Sequence, residues 1–338
     1  MIRSGLYSPR DFLCSKIIYK TARGGIFRAT QPARVHCQTY ARLLLGGALT
    51  WATVLPAAQH SRQGIRHAFL ATGAKTYIIS HTGKQLWSYP RPTREGWMLP
   101  TGNVLLVLAR ARNFPGSVIE VARRKRIHFQ YRGKQHGISS ACKLENGNYL
   151  IAESGRRPRL LEISPNGRVT RTVPLKSGTQ DYASQVHMVR PLPKGRYLVA
   201  QPADLAVREY DRSGRVMWQV KTKEPPYTAI RLKNGHTLVG CTTGNCVVQF
   251  DSAGQVTWKL ANADLKQGSL KNAYGVQRLP NGDTVVANHD AKAGGFQLIE
   301  VYAAKRVVWT FADASRSGIV HFQILNTNGR RLPWPPLR

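Results

Sequence analysis

A short motif recurs five times along this chain and constrains its fold more tightly than any other feature. "WMLPTGNVLLV", "CKLENGNYLIA", "RPLPKGRYLVA", "IRLKNGHTLVG" and "QRLPNGDTVVAN" each read as strand, tight turn, strand. Aligned on Gly102, Gly147, Gly195, Gly235 and Gly282, the copies lie 45, 48, 40 and 47 residues apart. In the last copy Asn281 and Gly282 form the turn, a pair suited to the positive φ angles of a two-residue hairpin. A period of forty-odd residues marks a repeat architecture.

Between these hairpins runs a second series: "YIISHTGKQLW", "VIEVARRKRIHF", "LLEISPNGRVTR", "VREYDRSGRVMW", "VVQFDSAGQVTW" and "LIEVYAAKRVVW". Each alternates apolar and polar residues, turns, and alternates again, which makes it a second hairpin. One repeat is therefore four short antiparallel strands, the unit of a propeller blade. Six copies of the second series predict an all-β, six-bladed β-propeller over residues 59–326, with 1–58 as an N-terminal extension and 327–338 as a tail. "HAFLATGAKTYIIS" near the start lacks a first strand, and "IVHFQIL", residues 319–325, supplies it and closes the ring.

Position in the repeat then assigns roles. Leu99, Leu144, Leu192, Leu232 and Leu279 stand three residues before each turn glycine and read as core. Trp87, Phe129, Trp218, Trp258 and Trp309 share one position on the outer strand, with Arg171 breaking the series. Large flat side chains there fill the wedge between blades; a ligand-stacking platform is the weaker reading, because every blade repeats them. Glu120, Glu162, Glu209 and Glu300, with Asp211 and Asp251, read as hydrogen-bonded structural acids beside turns.

These motifs resemble the bacterial six-bladed propellers whose blades carry "LPNGNxLVA" followed by "xxEyDxxGkvxW", a group that includes arylsulfotransferase-like and pyrroloquinoline-quinone-like propellers. The resemblance covers residues 65–326. It implies a group-transfer alternative in which a channel histidine accepts sulfate beside an arginine. "VHMVRPLPKG" offers His187 and Arg190, with Met188 where the family has an acid, and "VHFQIL" offers His321. Related quinone enzymes have eight blades and a calcium ligand set, neither of which is found, so no cofactor is expected.

Loops joining strands two and three share a face with those joining one blade to the next, and function gathers on such loops. Eight residues before each turn glycine stand Arg94, Ser139, His187, Tyr227 and Tyr274; His321 joins them from the closing strand, and His136 precedes the second blade's inner strand. This ring at the channel mouth is a candidate ligand site, against the alternative of a polar channel lining that holds only water. The same face carries Arg110 and Arg112 and the cluster Arg156, Arg157 and Arg159. Arginine forks match sulfate, phosphate and carboxylate. "ARRKR", residues 122–126, puts further charge on the opposite face.

The chain holds 50 Lys and Arg against 17 Asp and Glu, a formal charge of +33. Eight of those basic residues and one acid lie in the first 58, so the excess belongs to the repeat region. Such a balance points to an acidic partner, namely an anionic ligand, a polysaccharide or a protein surface; a basic habit of composition is the alternative. Nucleic acid is disfavoured, because no recognised module for it is present. No phosphate loop, nucleophile elbow or zinc spacing is found, and Asp181, Asp204 and Asp290 do not cluster as a calcium site would.

Arg42, the apolar stretch 43–55 and the small residues Ala57 and Ala58 follow the order of a secretory signal peptide, too short for a permanent membrane span. This predicts a periplasmic or secreted monomer with a translation start set too far upstream; N-terminal sequencing that found Met1 on the mature protein would sink that start. An organelle transit peptide is the alternative. Cys241 and Cys246 bracket a predicted hairpin end, where export favours a disulfide and free thiols are the other reading. Cys142 reads as core. The function these features imply is a binding module with a basic loop face, with the sulfotransferase-like enzyme as the alternative.

Overall fold

The computed structural model describes residues 58–266, 268–291, 295–313 and 318–338. The hydrophobic stretch 43–55 lies outside the described residues. Six antiparallel sheets follow one another along the chain and form the expected six-bladed β-propeller. Blade 2 runs through Thr93–Met98, Val104–Leu108, Ser117–Val121 and Ile127–Arg132, and blades 3 to 5 repeat this order. Second strands such as Val104–Leu108 are buried along their whole length, because a neighbouring blade covers each face. Fourth strands such as Ile127–Arg132 alternate, since they lie on the rim with one face in water.

Closure occurs where the sequence places it. Ile319–Thr327 pairs with His67–Gly73 as the inner strand of blade 1, with Thr72 opposite His321 and Leu70 opposite Gln323. Blade 6 gains a fifth strand, Ala58–His60, on its outer edge. Gln59 from that strand accepts from the Trp309 indole at 3.0 Å and brackets His67 through its backbone N–H and C=O.

The repeated tryptophans and glutamates hold blade to blade. The indole N–H groups of Trp87, Trp218 and Trp258 each donate to a carbonyl in the outer turn of the next blade, at Arg123, Ser252 and Ala303. Glu120 accepts from Lys143 and Tyr149 of blade 3, and Glu162 from Tyr197 of blade 4. Glu209 pairs with Arg231 of blade 5, and Glu300 lies 2.8 Å from His67 of blade 1. Leu99 and Leu279 are fully in the core, while Leu144, Leu192 and Leu232 pack against it from partly buried positions.

One expectation is corrected at the turns. Gly282 has φ +91° but Asn281 is not in the left-handed region, and the Gly282 N–H donates to Leu279. Pro280 fixes the φ that begins a type I turn, and Gly282 then takes the left-handed place that follows it in a longer hairpin loop. In the outer turns Gly83, Gly167, Gly214 and Gly254 occupy the same left-handed place, but Lys125 and Lys305 do so at φ 64°. A side chain costs free energy there, so Lys125→Gly is expected to stabilise the protein by about 0.5–1 kcal/mol in denaturant unfolding.

Residues 327–338, set apart in the sequence as a tail, enter the central channel from the face of the glycine turns. After a short strand, Arg330–Arg331, the Leu332 N–H bonds Leu325 and the Leu337 carbonyl accepts from Arg278 of blade 6. Trp334 meets Trp97 edge-on at the channel's lower end. Arg338 is 1% exposed in mid-channel, its guanidinium 3.7 Å above the Trp97 ring.

Candidate functional site

The sequence-predicted ring divides at two depths. Deep in the channel, His321 is fully buried between the guanidinium groups of Arg190 and Arg338. Arg190 pairs with Glu95 at 2.9 Å and binds the backbone oxygen of Arg338, which in turn donates to the Gly96 and Phe322 carbonyls. Ser140 and the Ala141 N–H complete the coordination of Glu95. Burial, then the two arginines, hold His321 well below the usual imidazole range. Two of the three catalytic candidates, His321 and Arg190, are thus latches for the tail and offer no open approach to a substrate.

At the mouth above this plug lie Arg94, His187, Tyr227 and Tyr274. His187 and Tyr227 have ring centroids 4.5 Å apart, Tyr227 stacks on Tyr274 at 4.2 Å, and Tyr274 stacks on His289 at 4.6 Å. Each ring begins the inner strand of a successive blade except His289, which follows the second strand of blade 6 and was not singled out for the ring. Arg94 faces Tyr227 from across the mouth, its positive charge opposing the rise that burial imposes on the phenol. Burial, reinforced by Arg94, pushes His187 down to about 3, and burial pushes the Tyr227 hydroxyl up to about 12. Ser139 belongs elsewhere, turned into its own sheet with its hydroxyl toward the Ala152 carbonyl.

Two basic hollows lie farther out on the same face. One, of about 740 Å3, lies between blades 3 and 4 and is lined by Arg156, Arg157, Lys176, Arg208 and Lys221. Its single acid, Asp204, is bound to Arg208. The other, of about 310 Å3, lies between blades 2 and 3 and is lined by Arg110, Arg112, Lys134 and His136. Gln135 joins them, exchanging two hydrogen bonds with the Arg157 backbone. Arg159 does not share in this surface as a free cation, because it forks onto Glu153, its cross-strand neighbour.

Cys241 and Cys246 stand directly opposite each other in the hairpin, and both are free thiols here, as is Cys142 in the core. The disulfide expected under export is therefore absent from this structure. Asp181 caps Ala183 and Ser184, and Asp290 bonds His289. Among the described residues no group of three or more His, Cys, Asp or Glu side chains is arranged to hold a metal ion, and no helix is long and apolar enough to cross a membrane.

No protein-family model matches the chain, and no curated protein matches it. Solved structures do. A protein of unknown function from Bacteroides caccae is 24% identical, with a TM-score of 0.68 over 76% of this chain and 98% of its own. Virginiamycin B lyase from Staphylococcus aureus is 12% identical, with a TM-score of 0.51 over 75% of this chain and 87% of its own. The WD40 β-propeller domain of Doa1 is 13% identical, with a TM-score of 0.51 over 72% of this chain and 74% of its own. At these identities the likeness is one of fold.

Proposed function

We propose that this propeller is a binding module whose loop face engages an extended polyanion, a sulfated or carboxylated glycan. The observation that carries this reading is the pair of joined basic hollows across blades 2 to 4, where Asp204 is the one acid and is already neutralised by Arg208. Exposed arginines in a concave track bind oxyanions through forked, charge-assisted hydrogen bonds without having to leave an acidic partner first. An exported location, as the N-terminal pattern suggests, would bring the face into contact with such glycans. The group-transfer alternative fares worse, since the tail fills the channel at His321 and Arg190.

The test is retention of the full chain on a heparin column. Arg156→Glu combined with Arg157→Glu is expected to elute at clearly lower salt, while charge reversal at Arg124 on the opposite face leaves elution nearly unchanged. Equal losses from both changes would mean that net charge alone, and not this track, accounts for retention.

A further inference from the structure

The channel mouth carries a second, smaller site independent of the basic track. Among the described residues Arg94 is the arginine that faces it, and the acids around it are occupied. Glu95 pairs with Arg190, Asp290 with His289, and Asp181 with Ser184 and Ala183. Among the described residues Arg94 has no ion-pair partner, and its Nε is buried without a hydrogen bond. The Nδ1 atom of His187 is likewise buried without a hydrogen bond, while the imidazole also faces the Ala183 backbone. Such atoms in a half-buried cluster leave hydrogen-bonding capacity unused.

The stacking arrangement decides what can fill it. Tyr227, Tyr274 and His289 lie nearly parallel, with interplanar angles of 10° and 9°, so much of their ring faces is taken up by one another. An aryl ligand finds little face to stack on. What the cluster offers is ring edges, which carry partial positive charge, along with two phenolic hydroxyls and imidazole nitrogens. Arg94 at one end selects an oxyanion, and Asp290 at the far end favours hydroxyl donors over a second anion. The floor is closed by Arg338 and the tail, which limits the site to something shallow and small.

We propose that the mouth ring of Arg94, His187, Tyr227, Tyr274 and His289 binds a single acidic sugar, a hexuronate, with its carboxylate on Arg94 and its hydroxyls on the tyrosine and histidine edges. The sugar could be free or the end of a longer chain, and the recognising chemistry is the same.

The experiment titrates the full-length protein with glucuronate, glucose and benzoate, following ring resonances by NMR. Glucuronate is expected to shift the His187, Tyr227 and Tyr274 signals saturably, with glucose and benzoate at least tenfold weaker. Arg94→Gln should weaken glucuronate at least tenfold, and Tyr274→Phe, a milder change should the first fail to fold, several-fold. The Arg156→Glu, Arg157→Glu protein should bind glucuronate as the parent does, which separates this site from the basic track. A glucuronate-ended oligosaccharide binding more tightly than the monomer, with the gain lost in that double variant, identifies a chain end as the source; equal affinity identifies the free acid. Benzoate binding as well as glucuronate, no saturable shift at these rings, or glucuronate binding unaffected by Arg94→Gln and Tyr274→Phe would overturn the proposal.

Discussion

Glu95→Ala is expected to destabilise the protein by about 3–5 kcal/mol, the cost of leaving buried positive charge without its counter-ion. Glu95 is fully buried and is the carboxylate paired with Arg190 in a cluster that also contains Arg338. Removing it takes away the carboxylate paired with Arg190 and leaves two guanidinium groups in the channel, supported by backbone oxygens and the Trp97 ring. Ser140 and the Ala141 N–H also lose their acceptor. Denaturant unfolding measures the loss. Because the tail is held by the same cluster, the variant should also open the tail, seen as faster amide exchange at Leu332 and at Arg278, whose N–H donates to the Leu337 carbonyl. A loss below 1 kcal/mol with an unchanged tail would show that the cluster does not hold the channel closed.

The second large effect is on pH. The folded protein keeps His187 near 3 and His321 well below the usual imidazole range, both chiefly through burial. An unfolded histidine takes up its proton near 6.5, so between that pH and the folded value the unfolded state binds more protons. The stability these neutral histidines contribute is thus fully present above about pH 6.5 and is lost as the pH falls below it. His187 alone accounts for up to about 2 kcal/mol by pH 5, at 1.36 kcal/mol per pH unit. His321, enclosed by Arg190, Arg338 and, beyond them, Glu95, acts in the same direction. Asp283, raised by burial, opposes the trend only in the carboxylate range. Unfolding midpoints should therefore fall from pH 7 to 5, before carboxylates titrate, and His187→Asn should flatten that slope. A parent protein equally stable at pH 7 and 5 would contradict the assignment.

Most of the fold can be read in the sequence because its information is local. Turn glycines recur at one register, outer-strand tryptophans mark the blade interfaces, and the missing first strand of blade 1 points to residues 319–325. The turn type depends on Pro280 as well as on Asn281-Gly282, because proline favours a type I start. The candidate site was less legible, since depth in the channel depends on contacts between distant segments. His321 has the same repeat position as His187, yet Gly275 beside it leaves room only because it lacks a side chain; a Cβ there would lie 3.1 Å from the His321 Cα. That close approach sinks His321 into the plug. The tail itself, "RLPWPPLR", has no strand pattern, and Arg338 finds Gly96 across 242 residues. Arg159 is the reverse case. Its pairing with Glu153 follows from hairpin register, a signal carried by strand spacing and not by composition.

The central claim is that the loop face, and not the face of the glycine turns, receives the extended polyanion. Hydrogen exchange of the full chain, with and without a heparin-derived oligosaccharide, tests it most directly. Slowed exchange centred on residues 110–113, 133–136, 155–158, 176–178 and 202–208 is the predicted result. Protection centred on residues 123–126 of the opposite face, or no localised protection at a saturating concentration, would contradict it.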